Sequence, residues 1–169
     1  MSVTARLEFK LEAHERLDSG DLRSLPIKHE LSGSMTFADG TDNDEIDIIW
    51  TDQRTLGIGA NEVLDLSGAL TDTFGASIVG VEAVFLVVKV ITASGSVDVG
   101  PDSTAGWVGP FNAATDRVEC GYLYGMPGLF IGKAAGWAIG AGATDELYVL
   151  NNSGAATVTY QVGLGIRSA

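Results

Sequence analysis

The chain has 169 residues, 46% of them hydrophobic and 19% charged, so it has the length and apolar content of one folded domain and not those of a disordered chain. Its 22 acidic residues against 10 basic ones give a net charge of −12, which argues against a nucleic-acid partner or an anionic membrane surface, since both are held by Lys/Arg clusters. The single cysteine, Cys120, excludes an internal disulfide and fits synthesis in a reducing cytosol.

The first residues, Met1-Ser2-Val3-Thr4-Ala5-Arg6, alternate and carry charge early, unlike a secretory signal. Val3, Ala5, Leu7, Phe9 and Leu11 alternate with Thr4, Arg6, Glu8, Lys10 and Glu12, the period of a strand with one wet face. A one-residue slip would expose all the apolar members, so the register is expected to be fixed. Asp18-Ser19-Gly20-Asp21 reads as a turn and Pro26 as a breaker. Residues 29–37 alternate again, with Leu31, Gly33, Met35 and Phe37 on one face. A strongly acidic turn over 38–45 leads to a partly buried strand at 46–50, and 62–66 alternate once more. The Gly- and Thr-rich stretch 67–77 reads as a connection with room for one helical turn near 70–74. Residues 78–91 are the most apolar, and their β-branched side chains predict a central strand bulged at Gly80. The run 83–91 is broken by Lys89 and is too short to cross a bilayer. Shorter strands are predicted at 96–99, 107–111, 117–124, 129–131 and 137–139. Finally, 146–150 and 157–166 flank Asn151-Asn152-Ser153-Gly154-Ala155, a hairpin signal with glycine available for a positive φ.

About ten short strands, with turn signals every 8–12 residues or so, predict an all-β single domain, a β-sandwich or jelly-roll-like fold, with a barrel as the alternative. Residues 1–50 are the more charged part and read as N-terminal strands or an arm suited to docking, while 51–169 form the compact core. The 22 glycines are scattered, as turns between strands would use them, and no fixed-period repeat is visible.

Chemistry-bearing patterns are few. Asp39, Asp42, Asp44 and Glu45 lie in one turn and could offer oxygens to Ca²⁺, but the spacing is not that of an EF-hand, and a solvated turn capped by its own side chains is the commoner arrangement. His14 and His29 have no partner at a catalytic or zinc-binding spacing. Cys120 alternates with Val118 and Tyr122 and reads as a small core residue rather than a nucleophile. Gly57-Ile58-Gly59 lacks the third glycine and the following helix of a dinucleotide site. Trp50, Trp107 and Trp137, with Tyr122, Tyr124 and Tyr148, suit either a sugar-stacking platform or core and interface anchors, the second being commoner. No catalytic residue and no cofactor site is assigned, and the chain is not expected to be an enzyme.

Residues 51–56 (Thr-Asp-Gln-Arg-Thr-Leu), leading to 63–68 (Val-Leu-Asp-Leu-Ser-Gly) and 70–75 (Leu-Thr-Asp-Thr-Phe-Gly), resemble small virion structural proteins of tailed bacteriophages and prophages. The stretches 136–139 and 145–154, running on to 158–160, are similar to them too. The resemblance implies a virion component made in a bacterial host's cytoplasm: a capsid decoration or minor head protein that binds the major capsid protein or other virion proteins. A symmetric homo-oligomer, a trimer in the first instance, would fit that role. A lectin-like module on the virion and a tail or head–tail connector component are the alternatives. The family supplies no catalytic residue to carry over.

Overall fold

The computed structural model describes residues 2–15 and 27–169. Among them every regular element is a strand. The turn expected at Asp18–Asp21 and the breaker Pro26 lie outside the described residues.

The chain opens with a long antiparallel ribbon, β1 (Ala5–Glu15) and β2 (Ile27–Asp39), in register from Ala5 opposite Phe37 to Glu15 opposite Ile27. A two-residue strand, β3 (Glu45–Ile46), pairs parallel with the end of β2. Two four-stranded antiparallel sheets follow. One has the order β11 (Leu129–Ala138), β8 (Glu82–Val90), β13 (Val158–Arg167), β4 (Ile48–Leu56). The other has the order β10 (Val118–Gly121), β9 (Ser96–Pro101), β12 (Glu146–Asn151), β5 (Asn61–Asp65). A small ladder of β6 (Ser67–Thr71) and β7 (Ser77–Val79) lies beside them.

The two sheets share one sandwich-like core. Val158, Tyr160, Val162, Leu164 and Ile166 line the inner face of β13, Leu86, Val88 and Val90 that of β8, and all pack with Leu64, Val97, Val99, Cys120, Leu147 and Val149 of the opposite sheet. Alternation along each strand, with its side chains pointing in turn to core and surface, produces this division. On the far side of the first sheet a second core holds Val3, Phe37 and Ile46 against Val84 and Phe85. Phe37 and Phe85 stack at 5.4 Å, and burying a side chain of this kind contributes about 1.5–3 kcal/mol. Gly165 lies beneath the Phe85 ring, which a Cβ there would strike. This small core roots the ribbon on the body.

Several local expectations are corrected. The apolar run 78–91 is cut at Gly80–Val81 into β7 and β8, because a Cβ at Gly80 would meet Ile166, Ile139 and the Leu66 carbonyl. Residues 67–71 are strand, not a helical turn, and Phe74 sits in the turn held by Asp72. Residues 107–111 are not a strand: Trp107 turns inward, and its backbone N–H donates to the Glu146 carbonyl at 2.9 Å. The strands predicted at 129–131 and 137–139 belong to the single irregular strand β11. Most consequential, 146–150 and 157–166 do not form a hairpin. β12 pairs with β5 and β9, β13 with β4 and β8, so the intervening segment crosses between sheets.

Asn151 explains that crossing. It is 2% exposed, and its amide nitrogen lies 2.8 Å from the Gly57 and Ala156 carbonyls and 3.1 Å from that of Leu56. Its amide oxygen accepts from the Ser153 backbone N–H at 3.0 Å and hydroxyl at 2.7 Å. A turn that would have closed a hairpin is tied instead to the end of β4.

Candidate functional site

The sequence-selected residues end up in separate places. Trp50 and Trp107 are 3% and 0% exposed and belong to the core. Trp107 donates its indole N–H to the Ala138 carbonyl at 3.1 Å and meets half-buried Trp137 edge to face at 6.2 Å. The three tryptophans therefore build no exposed sugar platform. Tyr148 lies under the Arg117 guanidinium at 4.8 Å, and Arg54 sits 5.6 Å over Trp50.

Cys120 is fully buried, and burial, together with the Asp98 and Glu119 charges, pushes its thiol up to about 12. A thiolate is the reactive form, so this environment suppresses nucleophilic chemistry. His14 is exposed on the polar face of the ribbon, 3.1 Å from Glu12, whereas His29 lies opposite Ala13 on the other face. The two histidines do not converge.

The acidic turn is engaged in holding itself. Asp39 accepts the Val3 backbone N–H at 2.8 Å, and Glu45 accepts that of Asp42 at 2.9 Å. Beneath it lies Arg167, 1% exposed, which donates to the Asp42 carbonyl at 2.6 Å and pairs with Glu82 at 2.8 Å. A cation of the chain's own thus already serves the turn. Among the described residues no three His, Cys, Asp or Glu side chains are grouped to hold a metal ion, Asp39, Asp42, Asp44 and Glu45 included. Sequence reasoning passed over Arg167, because a lone arginine near the end of an apolar strand carries no motif.

What the fold does display is the ribbon. Ala5, Leu7, Phe9, Leu11 and Ala13 of β1 share a face with Phe37, Met35, Gly33, Leu31 and His29 of β2. Only the root of that face is covered by the body. Farther out, Phe9, Leu11, Leu31 and Met35 are 50%, 51%, 61% and 40% exposed. The opposite face alternates charge: Arg6 pairs with Glu8, Lys10 with Glu12 at 3.0 Å, and Lys28 with Glu30 at 2.8 Å. The Lys10 ammonium, then His14, with a smaller part from Lys28, holds the Glu12 carboxyl below the usual range. β1 is an edge strand with β2 on one side only. Beside its root runs an open groove of about 680 Å³ between Ala5 and Leu7 and the outer face of the first sheet, floored by Ile49, Thr51, Val87 and Gly163. A second apolar projection is the turn after β10, where Leu123, Tyr124 and Met126 stand exposed and the Tyr124 ring lies 5.6 Å from that of Tyr122.

Among the described residues no helix is long and apolar enough to cross a membrane. Comparison with protein families, with curated proteins and with solved structures finds no match.

Proposed function

We propose that this chain is a structural assembly protein of a tailed-phage virion, a capsid decoration or minor head protein, made in the host cytoplasm and working as a homo-oligomer that binds neighbouring capsid subunits. The observation that carries the reading is the ribbon: a sheet with one apolar face, rooted on the body and left largely bare. An isolated two-stranded ribbon is marginal in water, so such a face calls for a protein partner. Trp50, Trp107 and the Cys120 thiol, which could have served chemistry, are instead packed in the core.

The body further supports a jelly roll. Its eight main strands pair first with last and inward from there: β4 with β13, β5 with β12, β8 with β11, β9 with β10. That is the order of a long hairpin rolled into two facing sheets, and jelly rolls are frequent in viral capsids. The net charge of −12 keeps a free pool soluble until docking. Repetition over a shell would then multiply a modest contact through avidity.

Mass spectrometry of purified particles tests this. Copy number in a fixed ratio to the major capsid protein is expected. A chain absent from particles, or present in a handful of copies as a six-fold ring, would remove the decoration role. Exposed Tyr124, beside half-buried Tyr122, favours a second reading, a carbohydrate-binding module. Glycan binding lost in Tyr124→Ala would support it, and no binding at millimolar glycan would dismiss it.

A further inference from the structure

The ribbon's free edge reads as a match for itself. Along β1 the polar face runs Arg6, Glu8, Lys10, Glu12, and the apolar face Ala5, Leu7, Phe9, Leu11, Ala13. Let a second β1 lie antiparallel beside it, with a two-fold axis through Phe9. Arg6 then faces Glu12 of the other copy and Glu8 faces its Lys10, and the axis repeats both pairs. Every charge from Arg6 to Glu12 meets its opposite. Shifting the axis by one residue, to Glu8 or Lys10, places like charges face to face, which is destabilising across strands. A two-residue shift keeps the faces but leaves some charges without an opposite.

The same register disposes of the bare apolar face. It sets Leu11 of one copy against Leu7 of the other, and Ala13 against Ala5. Ala5 and Leu7 wall the groove over Ile49, Thr51, Val87 and Gly163. The outer part of each ribbon is thereby laid into the groove at the other's root. Phe9, Leu11, Leu31 and Met35 leave roughly 400 Å² bare, the size of the largest apolar patch a monomer usually carries. Covering such a patch on both copies, together with the strand edge and the groove, approaches the span of specific interfaces, about 1,200 Å² in total at the low end.

Charge favours this contact over others. Within the ribbon, Arg6, Lys10 and Lys28 stand against Glu8, Glu12, Glu15 and Glu30, a net of −1, whereas residues 39–169 hold 16 acidic and 5 basic residues, a net of −11. Two bodies side by side would repel. In the end-to-end arrangement they stand at opposite ends of a sheet about 35 Å long, several times the roughly 8 Å screening length at physiological salt.

We infer that the chain forms a two-fold dimer in which the β1 edges pair antiparallel about Phe9 and Leu11 and Ala13 of each ribbon lie against the groove at the root of its partner. This deepens the assembly reading by naming the self-contact, and a two-fold isologous contact takes the place of the trimer first expected.

Analytical ultracentrifugation of the full chain at micromolar concentration tests it. The wild type is expected to sediment at twice 17.6 kDa. Glu8→Lys and Lys10→Glu should each weaken dimerisation at least tenfold, since each sets like charges opposite one another twice. Mixing these two variants should restore a dimer, because Lys at 8 then faces Glu at 10 in the other copy. The double variant should restore it alone. This rescue separates an interface from a folding defect. A wild type that is monomeric or trimeric, single variants that dimerise normally, or a mixture that stays monomeric would each overturn the inference. A monomer that still decorates particles would sink this contact and leave the proposed function standing; a dimer that never associates with particles would do the reverse.

Discussion

Asn151 and Asn152 are adjacent, identical in type and indistinguishable in the sequence, yet Asn151→Ala is expected to cost about 2–4 kcal/mol and Asn152→Ala under about 0.5 kcal/mol. The Asn151 amide nitrogen serves three carbonyls within 3.1 Å, and the one on Leu56 is buried with it. A buried acceptor left without a partner costs about 1–3 kcal/mol, and the Gly57 and Ala156 carbonyls, nearer solvent, add a smaller share after water replaces the amide. Loss of the Ser153 contacts loosens the crossing further. Asn152, by contrast, is exposed and makes one side-chain hydrogen bond, to Asp98 at 3.2 Å. Urea unfolding followed by tryptophan fluorescence reads both, with the slope m unchanged if only the native contact is lost. Equal midpoints for the two variants would refute the assignment of Asn151 as the tie between sheets.

Arg167→Ala removes the cation beneath the acidic turn and leaves the partly exposed Glu82 unpaired; a loss of about 1–3 kcal/mol is expected in the same assay. Cys120 should resist a thiol reagent at pH 8 in the folded protein and react within the dead time in urea; rapid labelling of the native state would contradict its burial. Burial first, and then the charges of Asp102 and Asp145, raise the Glu146 carboxyl above its usual value. The folded state therefore holds that proton longer than the unfolded one, so the group lowers stability as pH rises through the window above the unfolded value. Glu146→Gln should accordingly raise the thermal midpoint at pH 7 and give no gain below about pH 4; a destabilised variant at pH 7 would reverse the sign.

The period-two alternation made the strands legible, and with them the all-β class. Val3 through Leu11 and residues 29–37 follow that pattern into β1 and β2, and the β-branched run of β8 and the long alternation of β13 sit at the centre of their sheet. Pairing was not legible in the same way. A hairpin and an inter-sheet crossing share the signal strand, Asn-Asn-Ser-Gly, strand, and only the partners of the Asn151 amide, nearly a hundred residues back in the chain, decide between them. Residues 107–111, read as a strand, are a related case: the Trp107 ring fills the core while the backbone turns. Arg167 carried no local pattern, because its meaning lies in a turn formed by residues 39–45. Tyr160 is similar. Its hydroxyl donates to Glu62 at 2.7 Å, and Glu62 in turn holds Arg54 at 2.8 Å, a link between the two sheets that spacing along the chain does not encode.

The pairing of β4 with β13 also sets an order of events during synthesis. β13 comes last of the described strands and is flanked by β4 and β8, so until residues 158–167 emerge β4 has no sheet partner and β8 has only β11. Until then the nascent chain holds an open, greasy half-shell. Because non-local strands must find each other across most of the chain, closure is expected on the millisecond-to-second scale of β-rich domains. A ribosome-released chain ending at residue 157 should therefore be insoluble or chaperone-bound, although it lacks only a single full strand.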